Sequence, residues 1–288
     1  MKRMGLVAGW GRFPIVVAQA LKQQGYEVHC AAVKDHADPE LAALCDSYLP
    51  TGIGRLGAMI RHFRRHGVQQ ATMAGKIHKA NVLFRRFGWA RHFPDLATMR
   101  GFFPHFTGTK DRRDDSLLLT VVDIFARGGI EFAPATDFAP ELLVKQGSLT
   151  RRPLTAAQQK DIAFGWQMAK ELGRLDVGQT VVVRGQAVIA VEAVEGTDAC
   201  IRRAGELCPQ GGFVVVKVAK PQQDMRFDVP TIGLGTLETI KQAGGAVLAV
   251  EADKTILLDQ PEFIAKANQL GLCVTALRSD ALSQLDAA

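Results

Sequence analysis

The chain has 288 residues, 47% hydrophobic and 22% charged, with a formal net charge of +6 and an isoelectric point near 9.2. That composition excludes a disordered chain, and the length favours two domains over one. No apolar run approaches the roughly 18 residues of a membrane-spanning helix, and the start MKRMGLVAGWGRFP lacks a signal-peptide pattern, so a cytoplasmic protein is expected.

The segment MGLVAG is a short strand, the pattern from Pro14 to Gln24 a helix, and YEVHCAAV a second strand, which together form a βαβ unit. The helix GRLGAMIRHFRRHG then precedes the strand QQATMAGKI, and the helix DDSLLLTVVDIFARGG precedes the short strand IEFAPAT. The first half therefore reads as a Rossmann-like α/β layer structure with a parallel sheet. KQGSLTRRPLTA is polar and contains Pro153, so a domain boundary is placed near 148, dividing the chain into 1–148 and 149–288. Beyond it follow the helix AAQQKDIAFGWQMAKELGRL and the strands TVVVRG, QAVIAVEAVEG and GGFVVVKVAK. GAVLAVEA, TILLD, a helix from Pro261 and the strand LCVTALR complete a second, mixed-sheet α/β domain. The five cysteines are scattered without C-x-x-C spacing and read as reduced and structural.

The positive charge points to a polyanionic partner: nucleic acid, a phosphorylated metabolite or an anionic lipid surface. Few tyrosines and no aromatic-basic RNA-binding signature count against nucleic acid. Gly9 and Gly11, directly after a strand and before a helix, offer backbone amides to a phosphate, but Pro14 stands where a dinucleotide fingerprint needs its third glycine. With Asp35 at the end of the second strand, an NAD(P)-dependent oxidoreductase is the rival enzyme. Gly52-Ile-Gly54-Arg-Leu-Gly57 matches G-x-G-x-x-G, yet CDSYLPT before it is a poor strand, so these are read as helix-start glycines. Lys76 ends a strand, where a phosphate contact and a solvated side chain are equally expected.

Residues 83–106 interleave phenylalanines and Trp89 with arginines, a mixture suited to an anionic membrane face or to acyl chains, or to an ordinary helix over the core. Asp114 and Asp115 stand at a helix start, where capping is the simpler role and metal binding the other. In VEAVEGTDACIRRAGEL, Thr197 or Asp198 is expected to cap a helix that carries Arg202 and Arg203 one turn in, equally a phosphate-ready corner or a capped helix with solvated arginines. The stretch KPQQDMRFDVPTIG, residues 220–233, lies between Pro221 and Pro230, and an extended course would put Asp224, Arg226 and Asp228 on one side. With Lys217, Lys220, Gln223 and Thr231 around them, these residues supply what pyrophosphate hydrolysis needs: positive charge, carboxylates for a divalent cation, and a group to orient water; a self-satisfied, salt-bridged Asp-Arg-Asp loop is the other reading.

The chain resembles the UDP-2,3-diacylglucosamine pyrophosphatase family of lipid A biosynthesis, the LpxI type. The resemblance rests on LVAGWGRFP, MAGKI, RDDSLL, DVGQTVVVRGQAVIAVEAVEGTDACIRRAG, KVAKPQQDMRFDVPTIG and AGGAVLAVEADKTILLD, and covers nearly the whole chain. Trp10 and Arg12 depart from it, bringing bulk and charge to a loop where small residues are expected. The resemblance implies a two-domain cytosolic enzyme working at the inner membrane surface, with a lipid nucleotide bound between the domains and Mg²⁺ or Mn²⁺ as cofactor. It implies water attack on the α-phosphate, giving UMP and 2,3-diacylglucosamine 1-phosphate (lipid X), and a catalytic aspartate, Asp224 or Asp228. A non-catalytic nucleotide or lipid-phosphate sensor is the rival of another class, and a homo-oligomer is left open.

Overall fold

The computed structural model describes residues 2–77, 92–108, 114–227 and 229–281. The chain divides into two compact units, Met1–Pro140 with Met225–Phe227, and Glu141–Asp224 with Asp228–Ala288. The division falls before the expected 148 because Val144 lies in a second-unit core, and Gly147–Ser148 pair with Thr275 and Ala276 of a late strand.

In the first unit, β1 (Lys2–Ala8), α1 (Phe13–Gln23) and β2 (Tyr26–Val33) form the βαβ unit. There follow α2 (Leu41–Leu44), β3 (Ser47–Thr51), α3 (Leu56–Arg65), β4 (Gln70–Ala74), α4 (Leu96–Phe106), α5 (Asp114–Arg127) and β5 (Glu131–Phe132). The sheet order is β3-β2-β1-β4-β5 with every pair parallel, the order with which doubly wound sheets begin. The period of two sends Val28, Cys30 and Ala32 to one face with Ile15 and Val17, and Ala31 and Val33 to the other with Met59, Phe63 and Phe125. β3 sits at the sheet edge, where Pro50 removes no interior hydrogen bond; this is why so weak a strand pattern still pairs.

The second unit contains β6 (Gly147–Ser148), α6 (Ala156–Arg174), β7 (Thr180–Arg184), β8 (Ala187–Val191), α7 (Thr197–Leu207) and β9 (Val214–Lys217). β10 (Thr231–Ile232), α8 (Leu234–Gln242), β11 (Val247–Glu251), β12 (Ile256–Leu257), α9 (Gln260–Gln269) and β13 (Cys273–Leu277) complete it. Its main sheet runs β6-β13-β11-β9-β7-β8, parallel across β13, β11 and β9 and antiparallel at both edges, while β10 and β12 form a small parallel pair.

α6 starts at a capping box in which Thr155 and Gln158 each serve the other's backbone. It lies close to the sheet because Gly165 has no side chain; a Cβ there would stand 2.9 Å from both Val183 and Val216. Alternation along β9 and β11 puts Val214, Val216, Val247 and Ala249 in the core with α6. Val215, Leu248 and Val250 belong to the opposite core, with residues of α7, α8 and α9. Two charged strand ends follow from the same parity: Lys217 shares the side of Val215, and Glu251 that of Val247.

Candidate active site

Lys217, the last residue of β9, is 6% exposed, and its Nζ donates to Thr197 Oγ1 at 2.8 Å. Thr197 in turn donates to Glu192 Oε1 at 2.9 Å, and the Thr180 hydroxyl lies 3.5 Å from the Thr197 hydroxyl. The expected cap is corrected here: Gly196, at φ +84°, takes the N-cap position of α7 and no side chain caps it. Glycine suits that backbone, and the Thr197 hydroxyl is left to the lysine. Asp198 is exposed in the first turn, where its charge suits the helix dipole. Arg202 is exposed, while Arg203 turns back to Val191 O and Glu195 of its own loop. A structural tether therefore accounts for Arg203.

The loop after β9 is pinned from below. Glu251, 2% exposed, accepts from Lys170 Nζ at 2.5 Å and from the Ala219 amide at 2.9 Å, and pairs with Lys254 at 3.1 Å. Lys170 also donates to Ala219 O at 2.8 Å. Burial lowers the Lys170 pKa from its ordinary value, against the opposing pull of Glu251. Lys220, 8% exposed, donates to Asp176 Oδ1 at 2.6 Å. A buried charge is tolerable only when paired in this way.

The extended course expected between Pro221 and Pro230 is corrected at its start. Gln223 N donates to Lys220 O at 3.0 Å, closing a turn with Pro221 at its second position, where its fixed φ is favoured. The Gln223 side chain accepts from the Lys220 amide at 3.2 Å, so it braces the turn. Asp224 is half-buried; Asp228 lies outside the described residues. Met225–Phe227 belong to the first unit, where Phe227, 6% exposed, is part of a core with Val33 and Phe63. The two aspartates thus flank an anchored tripeptide. Thr231 donates to Val229 O at 3.1 Å and begins β10.

In the first unit, two amides of the glycine loop are bonded to the protein's own backbone. Gly9 N donates to Ala74 O at 2.8 Å, Trp10 N to Lys76 O at 2.8 Å, and Lys76 N to Trp10 O at 2.9 Å. A Cβ on Gly9 would meet Lys76 O at 2.8 Å, so glycine is required by the neighbouring loop. Gly11, at φ +103°, has open space around it, and the Lys76 residue is exposed. At G-x-G-x-x-G, a Cβ on Gly54 would strike His92 O at 2.2 Å and one on Gly57 would strike Asp95 at 2.8 Å. Asp95 caps α4 through Thr98 N at 3.1 Å and accepts from Ala58 N at 3.0 Å at the start of α3. Burial opposes its charge, yet bonds from Thr98, Gly57 and Ala58 hold its pKa below the usual value. The anion at that helix start is the protein's own. The metal role considered for Asp114 and Asp115 falls on side chains outside the described ones, as does the stretch 83–91.

Glu192, Glu251, Lys170 and Asp176 are the site residues that sequence reasoning missed. A signal was present for the glutamates: AVIAVE and VLAVE each close an apolar strand on an acid.

The fold and these buried ionic clusters define a two-unit α/β protein with a charged strand-end corner in its second unit. Residues 3–142 match the model of the LpxI N-terminal domain and residues 145–275 that of the LpxI C-terminal domain, so the chain belongs to the LpxI family. It is similar to the UDP-2,3-diacylglucosamine pyrophosphatase LpxI of Caulobacter vibrioides, with 31% identity over 283 residues, 95% of this chain and 97% of that protein.

Proposed function

We propose that this protein hydrolyses the pyrophosphate of UDP-2,3-diacylglucosamine in lipid A biosynthesis, releasing UMP and lipid X. The relative's activity supports this reading, and the observation that carries it is the Lys217–Thr197–Glu192 corner at the carboxyl end of β9, with its lysine and glutamate buried. A buried ammonium beside a hydroxyl at a helix start suits a phosphate group. Water attacks the α-phosphorus, the bond from that phosphorus to the bridging oxygen breaks, and the bridging oxygen leaves with the lipid-side phosphate. Lys217 offsets charge on the pyrophosphate. Lys220, engaged by Asp176, holds the turn that immediately precedes Asp224.

Among the described residues no group of three or more histidine, cysteine or acidic side chains is arranged to hold a metal ion. Magnesium on a pyrophosphate needs less from the protein, one or two carboxylates beside waters and phosphate oxygens. The donor set of Asp224 and Asp228 fits that demand, with Mn²⁺ served equally. When bound, the ion supplies charge neutralisation and acidifies the attacking water. Asp224 and Asp228 hold it or orient that water.

No helix among the described residues is long and apolar enough to cross a membrane. Transient contact with the inner membrane surface from the cytoplasmic side is supported by α4, where Leu96, Met99 and Phe103 are exposed at helical spacing.

The test is incubation with UDP-2,3-diacylglucosamine and Mg²⁺ or Mn²⁺ in ¹⁸O-labelled water. Label is expected in UMP. Label in lipid X would show attack at the β-phosphate, and binding without products would indicate the sensor.

A further inference from the structure

Behind Lys217 stands a carboxylate that packing alone does not explain. Glu192 follows β8 directly and is 8% exposed; its amide donates to Thr180 O at 2.9 Å, continuing the β7–β8 ladder. Gly178 closes on its backbone, since a Cβ there would lie 2.1 Å from Glu192 O. Its Oε1 accepts from Thr197 at 2.9 Å. Its Oε2 is shielded from solvent and has no hydrogen-bond partner among the described residues. A buried carboxylate with one oxygen unserved is costly where an apolar side chain would pack freely, and such groups call for a functional explanation.

The direction of the hydrogen bonds supplies one. An ammonium only donates, so Thr197 Oγ1 must accept from Lys217, and its single proton goes to Glu192. A hydroxyl whose proton is fixed in this way presents its lone pairs in a fixed direction. We propose that Glu192 is a positioning residue for the hydrolysis: it sets the Thr197 hydroxyl and, through it, the Lys217 ammonium that meets the pyrophosphate. The inference rests on the proposed role of Lys217 at the substrate phosphates.

The experiment is a double-mutant cycle on the purified full chain, with kcat and KM for UDP-2,3-diacylglucosamine and a thermal melt for each variant. E192A is expected to lower kcat about tenfold or more with KM within about twofold, the scale of lost outer-layer support. E192Q keeps an oxygen for the Thr197 proton and is expected to recover part of that loss. In the K217A background, E192A is expected to cost less than about twofold further. Wild-type kcat in E192A, or full additivity with K217A, would overturn the link. K217A at wild-type rate would remove the site reading and the link together, whereas an impaired K217A beside an unimpaired E192A overturns the link alone. Should E192A fail to fold, the cycle is run with E192Q under the same additivity criterion, and wild-type kcat in E192Q then counts against the link.

Discussion

Each unit has a strand-to-helix corner with glycine in it, at Gly9–Gly11 in the first and at Gly196–Thr197 in the second, and the two use their polar groups differently. In the first, the amides of Gly9 and Trp10 are tied to the end of β4 and to the loop after it. In the second, a buried lysine, hydroxyl and carboxylate meet at a strand end. A glycine after a strand therefore marks close approach, and only the neighbouring side chains tell whether a ligand or the protein's own backbone approaches. Buried charge is the more informative sign, because it is costly to keep.

The largest expected effect tests whether the second corner depends on buried ion pairing. Glu251→Ala strands Lys170 and the Ala219 amide, and is expected to cost about 3–5 kcal/mol, read as a lower urea midpoint. An unchanged midpoint would mean that the pin beneath the loop carries little.

Gly9→Ala sharpens the contrast from the other side. The added Cβ meets backbone atoms, Lys76 O at 2.8 Å and Gly75 C at 3.0 Å, so a loss of about 1–3 kcal/mol is expected with the KM of the folded enzyme unchanged. A raised KM without a stability loss would restore the glycine loop to the substrate site.

The smallest effect concerns pH in the first unit. Burial, then His66, His29 and Arg65, lower the His62 pKa to about 4, and burial and His66 lower that of His29. Both imidazoles are neutral in the folded protein and take up protons more readily when unfolded. Stability is thus fully present above pH 6.5 and is lost as pH falls from there towards 4. Melting temperature across that window is expected to fall more steeply in wild type than in His62→Gln.

Most of the fold was legible in the sequence because its strands are buried and its helices carry strong periodicity: β9, read from GGFVVVKVAK, and α6, with its Thr155 box, are plain cases. β3 was not, since an edge strand with Pro50 needs only one partner and little apolar patterning. The course after Lys220 was misread because a proline fixes φ in turns as well as in extended chain, and the deciding bond, Gln223 N to Lys220 O, is local geometry. The sequence singles out Lys217 as a charge beside the aspartates and Thr197 only as a possible cap, because a side chain's partners lie outside the local pattern. Glu192 was passed over, since an acid at the end of an apolar strand looks solvent-facing until the residues packed around it are known.

The most direct test of the central claim, that the aspartates flanking Met225–Phe227 carry the hydrolysis, is the turnover of UDP-2,3-diacylglucosamine by Asp224→Ala and Asp228→Ala with Mg²⁺ present, beside calorimetric substrate binding. Folded proteins that bind substrate, with kcat lower by about 10²–10³-fold in at least one of them, are the predicted result. Wild-type rates in both single variants would contradict it.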